Sequence, residues 1–170
     1  MSVIYPGYPR PREGESDAAF RYRRERDAAH VDGLLPVGPE RRRMLHEPHG
    51  FVLGLPLTEA SAGASPMVVW EGSPAIVRRA LGAALAAHPV NTWGEVDLTE
   101  AYHAARREVF ESCRRVPVQA VPGEAYLVHR LALHGVAPWG PGAQAPEAGR
   151  MIAYFRPQLT GSVRGWIDLP

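Results

Sequence analysis

His30 and Asp32, separated only by Val31, are the residues of this 170-residue chain whose types and spacing could do chemistry. Along an extended segment alternate side chains share a face, so an imidazole and a carboxylate two positions apart can converge on one point. A third ligand from a distant strand would complete a two-histidine, one-carboxylate face on an octahedral metal. Three positions would stay open, as in non-haem Fe(II) oxygenases. His-x-Asp alone is a weak signal, because Asp32-Gly33 also reads as a turn with His30 beside it on the surface. Specificity has to come from the rest of the chain.

Composition narrows the classes. Lys and Arg total 19 against 18 Asp and Glu, a formal charge of +1, so no overall field recruits nucleic acid or an anionic membrane. The arginine clusters at Arg21, Arg23, Arg24 and Arg26 and at Arg41 to Arg43 read as solvated faces or helix ends. Cys113 is the single cysteine, which excludes an internal disulfide and a cysteine-based zinc site. No apolar run reaches the roughly 18 residues of a membrane span. The start, MSVIYPGYPRPREGES, lacks the basic-then-apolar pattern of a secretory signal, so a cytoplasmic setting is expected.

The elements that must position the pair are short strands around a helical insertion, in one domain over 1–170. Residues 1–17, rich in Pro and Gly, read as an irregular arm. Ala18 to Arg26 alternates loosely and reads as a strand leading into residues 29–33, and Leu34 to Arg43 reads as loop with a helical turn. Strands are expected at 51–57, 67–70, 116–121, 125–133 and 151–155, with turns at 60–66 and at Pro122-Gly123 and a loop over 138–149. Two helices fill about 73–113. Ser73 and Pro74 start the first, whose stripe is Ile76, Val77, Ala80, Leu81, Ala84 and Leu85, and Pro89 stops it. Asp97 and Glu100 start the second, which runs to about Cys113 with an expected buried face of Ala101, Tyr102, Ala105, Val109, Phe110 and Cys113. Strands flanking a short helical insertion point to a β-sandwich rather than an alternating α/β fold.

The second half reads PGEAYLVHRLALHGVAPW, then a loop, then GRMIAYFRP. With His30-Val31-Asp32 upstream and VVWEGSP over Val68–Pro74, it resembles the phytanoyl-CoA dioxygenase family of Fe(II)/2-oxoglutarate oxygenases. The agreement in order and approximate spacing extends over most of the chain. The resemblance implies a double-stranded β-helix (jelly roll), mainly β and cupin-like, with Fe(II) held by His30, Asp32 and His134. It implies 2-oxoglutarate as cosubstrate, its far carboxylate gripped by Arg150; a guanidinium is always charged and holds carboxylates bidentately. Arg156, six residues on and on the same strand face, is the competitor. His134 is preferred to His129 because it precedes Gly135 at a strand end, whereas His129 reads as facing the outer layer. His46 and His49 flank Glu47-Pro48 in a loop and read as surface histidines.

The chain departs from the family in having only 29 residues before its His-x-Asp, in the longer loop before Arg150, and in Val136 and Pro74, where a small polar residue and a histidine are usual. The short N-terminal region makes a homodimer through the arm an expectation. The implied reaction consumes 2-oxoglutarate and O2, yields succinate and CO2, and hydroxylates or otherwise oxidises a small-molecule substrate whose class no residue pattern names. The alternatives are a cupin-like metalloenzyme working without 2-oxoglutarate and an inactive jelly-roll binding or assembly module. A zinc hydrolase lacks a general base among the residues at hand.

Overall fold

Met67–Trp70 is a run of four apolar residues, and both of its faces are covered: Met67 packs between two sheets while Val68 and Trp70 enter a helical layer. Such a continuous apolar run is the mark of a strand buried on both sides. The computed structural model describes residues 1–169. Its elements in chain order are β1 (Ser2–Ile4), α1 (Asp17–Glu25), β2 (Leu34–Val37), β3 (Arg42–Leu45), β4 (Phe51–Pro56), β5 (Met67–Trp70) and α2 (Ser73–Leu85). A 3-10 helix (Val90–Glu95) leads to α3 (Thr99–Ser112), β6 (Arg115–Val118), β7 (Tyr126–His129), β8 (His134–Val136), β9 (Arg150–Phe155) and α4 (Gly165–Asp168).

The strands form a four-stranded sheet in the order β1-β9-β4-β7, a three-stranded sheet β6-β5-β8, and a separate β2-β3 hairpin, all antiparallel. Val52 and Val128 from the first sheet meet Met67 and Ala132, with Val69, Val118, Tyr126 and Tyr154 packed alongside. On the far side of β5, Val77, Leu81 and Leu85 of α2 and Tyr102, Ala105 and Val109 of α3 build the larger core. The expected apolar stripes thus face inward. Just before α3 the Asp97 carboxylate accepts from the Thr99 N–H at 2.9 Å, although Leu98, not Asp97, is the N-cap.

Several expectations need correction. Residues 17–25 are helical, not a strand: Ser16 Oγ accepts from the Ala19 N–H, Asp17 lies in the first turn, and Arg23 and Arg24 lie in the last. Residues 34–45 form a hairpin, with Pro36 opposite Arg43, and not a loop with a helical turn. Residues 125–133 are not one strand. β7 ends at His129, and a tight turn (Ala132 N–H to the His129 carbonyl, 2.8 Å) carries the chain into the other sheet. Ser73 does not cap α2; its buried hydroxyl accepts from the Leu133 N–H at 2.9 Å, tying the helix start to the entry of β8. The N-terminal arm is irregular except for β1, which pairs with β9 of its own chain.

Candidate metal centre

Residues 29–32, expected as a strand, contribute only a single bridging pair, yet that pair makes the site. His30 N–H donates to the His134 carbonyl at 2.8 Å and His134 N–H to the His30 carbonyl at 3.0 Å. One further bond, Val136 N–H to the Asp27 carbonyl at 2.8 Å, lays residues 27–30 along β8 as an added edge of the three-stranded sheet. Asp27 and Ala28 bend into this path with positive φ of 55° and 53°, and Arg115 of β6 holds the Asp27 carboxylate with bonds of 2.7 and 2.8 Å. Gly135 makes the approach feasible, because a Cβ there would stand 2.2 Å from the Asp27 carbonyl oxygen. The glycine after His134 is therefore what lets His30 lie beside His134, with ring centroids 4.6 Å apart.

Between the two imidazoles stands Asp32. His30 Nε2 is 3.2 Å from its Oδ1 and His134 Nε2 is 3.5 Å from its Oδ2. Ligand atoms of the three side chains lie within 4.8 Å of one another and could hold a metal ion. On one face of an octahedron with bonds of about 2.1 Å, neighbouring ligand atoms stand about 3 Å apart, so small adjustments suffice.

The protons point the same way. His30 Nδ1 lies 2.9 Å from the Ala28 carbonyl and His134 Nδ1 lies 2.9 Å from the Ala132 carbonyl. A carbonyl only accepts, so each ring carries a proton on Nδ1; in the neutral form that a metal requires, this leaves the Nε2 lone pair on the side of Asp32, the tethering usual for metal-bound histidines. His134 Nε2 is buried with no hydrogen-bond partner, and a lone pair aimed at a carboxylate in that state is what a cation would satisfy. Burial opposes ionisation of Asp32, but His134 and His30, where their facing nitrogens carry protons, outweigh it and hold the carboxyl well below the usual range; a cation at the same point would act in place of those protons. The residues present fit a divalent metal.

The cluster sits at a rim. The His134 side chain is 3% exposed and that of His30 is 47% exposed. A cleft of about 430 Å³ opens on the exposed side, lined among others by Tyr8, Arg12, Leu35, Arg43, His49 and Arg156.

The two arginines separate. Arg156 donates from Nε to Asp32 Oδ2 at 2.6 Å, so it belongs to the cluster itself. Arg150 is 4% exposed, and its Nη1 has no hydrogen-bond partner. It lines a void of about 30 Å³ with Tyr126, and that void does not reach the triad. Tyr126 donates its hydroxyl proton to Tyr154 at 3.1 Å, and burial pushes the Tyr126 phenol far up.

His49 corrects the sequence reading outright. It is not a surface histidine but 4% exposed, with Nε2 at 3.8 Å from Asp32 Oδ2. Its loop-like neighbours Pro48 and Gly50 hid it, yet both bond to the chain beyond β9: Leu159 N–H to the Pro48 carbonyl at 3.0 Å, and Gly50 N–H to the Pro157 carbonyl at 2.9 Å. His129 is away from the triad, its Nδ1 accepting from the Leu131 N–H at 3.0 Å. The His46 ring lies 3.1 Å from the Gly94 carbonyl and is exposed, as expected. Among the described residues no helix is long and apolar enough to cross a membrane. No protein-family model matches the chain, and neither a curated protein nor a solved structure matches it.

Proposed function

We propose that the chain is a double-stranded β-helix that binds Fe(II) through His30, Asp32 and His134 and uses 2-oxoglutarate and O2 to oxidise a small molecule. The observation that carries this reading is the convergence of two Nδ1-tethered imidazoles on one ionised carboxylate, beside an open cleft. Strand order supports the fold: β1-β9-β4-β7 faces β6-β5-β8 with the 27–30 edge added, two four-membered layers with chain crossings between them, as in a jelly roll.

When bound, Fe(II) would supply the redox chemistry that couples O2 to oxidation of 2-oxoglutarate and substrate. The chain's own groups have separable tasks. His30 and His134 bind as neutral donors, and their backbone tethers fix the ring planes. Asp32 stays ionised across the physiological range. Arg150 is an inward cation without a carboxylate partner among the described hydrogen bonds, suited to grip the far carboxylate of 2-oxoglutarate, with Tyr126 beside it. Burial of His134 keeps water from one side of the centre, and the cleft admits substrate from the other.

A second reading has one observation in its favour. The void beside Arg150, about 30 Å³, holds one or two waters and not a carboxylate arm, which suits a metalloprotein that works without 2-oxoglutarate. Anaerobic addition of Fe(II) and then 2-oxoglutarate decides between them. A visible charge-transfer band that is lost in Arg150→Gln supports the first reading. Stoichiometric iron with no band supports the second, and absence of iron binding removes both.

A further inference from the structure

His49 has no role in the reading above, and beside the triad it is buried, polar and unsatisfied. Its Nε2 has no hydrogen-bond partner. Its Nδ1 lies 2.9 Å from the carbonyl of Glu47, two residues earlier. His30 and His134 are tied in the same way, to Ala28 and Ala132. Three imidazoles from three separate segments therefore turn Nε2 toward one carboxylate.

The distances rank them. Nε2 of His30 and of His134 stand 3.2 and 3.5 Å from Asp32, and that of His49 stands 3.8 Å away. The set of ligand atoms within 4.8 Å of one another holds His30, Asp32 and His134 and does not include His49. His49 is thus one step further out than a ligand. A lone pair facing a carboxylate oxygen at 3.8 Å makes no hydrogen bond, since both atoms accept. Arg156 already donates to that oxygen from its own side. Something that donates has to stand in front of His49 Nε2, on the side where the cleft meets the triad.

We propose that His49 is a positioning residue of the metal centre, whose Nε2 accepts a hydrogen bond from a water or hydroxyl-bearing ligand held on the metal's open face. This rests on the metal reading above. The ladder between residues 48–50 and 157–159 gives His49 a fixed backbone, so the acceptor is placed before any ligand arrives. A ligand with a donor at its metal-bound end is favoured over one with none.

Co(II) alone is the probe. Groups one shell out from a metal are worth about 10- to 100-fold in affinity. His49→Phe, which has no acceptor, is expected to bind Co(II) about tenfold more weakly than wild type, and His49→Gln, whose amide oxygen accepts, within about threefold. Wild-type affinity in His49→Phe overturns the proposal. Cu(II)-loaded wild type needs no variant: pulsed EPR counts directly bound imidazoles, and two are expected. A count of three makes His49 a ligand and overturns the proposal as stated. Asp32→Ala separates the two levels, because unchanged Co(II) binding there removes the metal reading itself.

Discussion

Two arginines six residues apart, Arg150 at the start of β9 and Arg156 just past its end, stand in opposite circumstances. Arg156 is exposed at the rim, paired with Asp32 and lining one cleft with His30 and His49. Arg150 is buried, beside Tyr126 and mostly apolar side chains, with a guanidinium nitrogen unpaired among the described residues. The same residue type thus serves two separate places at the two ends of β9. At the rim the Asp32 carboxylate already holds Arg156, so a metal ion bound there would compete with Arg156 for it. Inside, a cation without a counter-ion among the described residues makes a place for an anion. The difference teaches that the two ends can be broken one at a time.

The largest effect is expected at the rim. Gly135→Ala puts a Cβ 2.2 Å from the Asp27 carbonyl, a backbone atom that cannot yield without moving residues 27–30 off β8. We expect a cost of about 3 kcal/mol and loss of divalent metal binding in whatever protein still folds, read by thermal unfolding and calorimetric titration. Inside, Gly54→Ala meets the Tyr126 ring at 2.3 Å. A side chain can shift where a backbone cannot, so about 2 kcal/mol is expected, with the Arg150 surroundings altered and metal affinity kept. Equal loss of metal binding in both variants would break the comparison.

The arginines themselves should act in opposite senses. Arg156→Gln removes a competitor for Asp32 and raises Co(II) affinity about fivefold, on the order of 1 kcal/mol for a solvent-accessible ion pair. Arg150→Gln leaves Co(II) affinity unchanged and abolishes any effect of 2-oxoglutarate on the bound metal's spectrum. The smallest effect is expected at Tyr22, whose hydroxyl donates to the Ala29 carbonyl at 2.6 Å, just before His30. Tyr22→Phe should cost about 1 kcal/mol. Burial pushes the Tyr22 phenol up to about 12. Its contribution to stability is therefore complete below about pH 10, the unfolded value, and is lost as pH rises through about 12. The alkaline fall of wild-type stability should be shallower in the variant.

What the sequence made legible was whatever is fixed by period. α2 and α3 bury the stripes that 3.6-residue spacing picks out, and β4, β5 and β9 fall where short apolar runs lie. His30, Asp32 and His134 came together from a motif, although the geometry beneath it differs from a continuous strand: one bridging pair and a glycine contact do the positioning. Residues 17–25 were misread because their apolar residues fit a loose alternation, while the cap at Ser16 and the charges at the two ends carried the helix signal. His49 was hidden by Pro48 and Gly50, which mark a loop locally. Only pairing with residues more than a hundred positions away makes it part of a sheet edge, and no local pattern encodes that.

The central claim is that His30, Asp32 and His134 form one metal site. The most direct test is calorimetric titration of metal-free protein with Fe(II) under anaerobic conditions, beside Asp32→Ala and His134→Ala confirmed as folded by circular dichroism. The account predicts one Fe(II) per chain in wild type and none in either variant. Wild-type stoichiometry and affinity in both variants would contradict it.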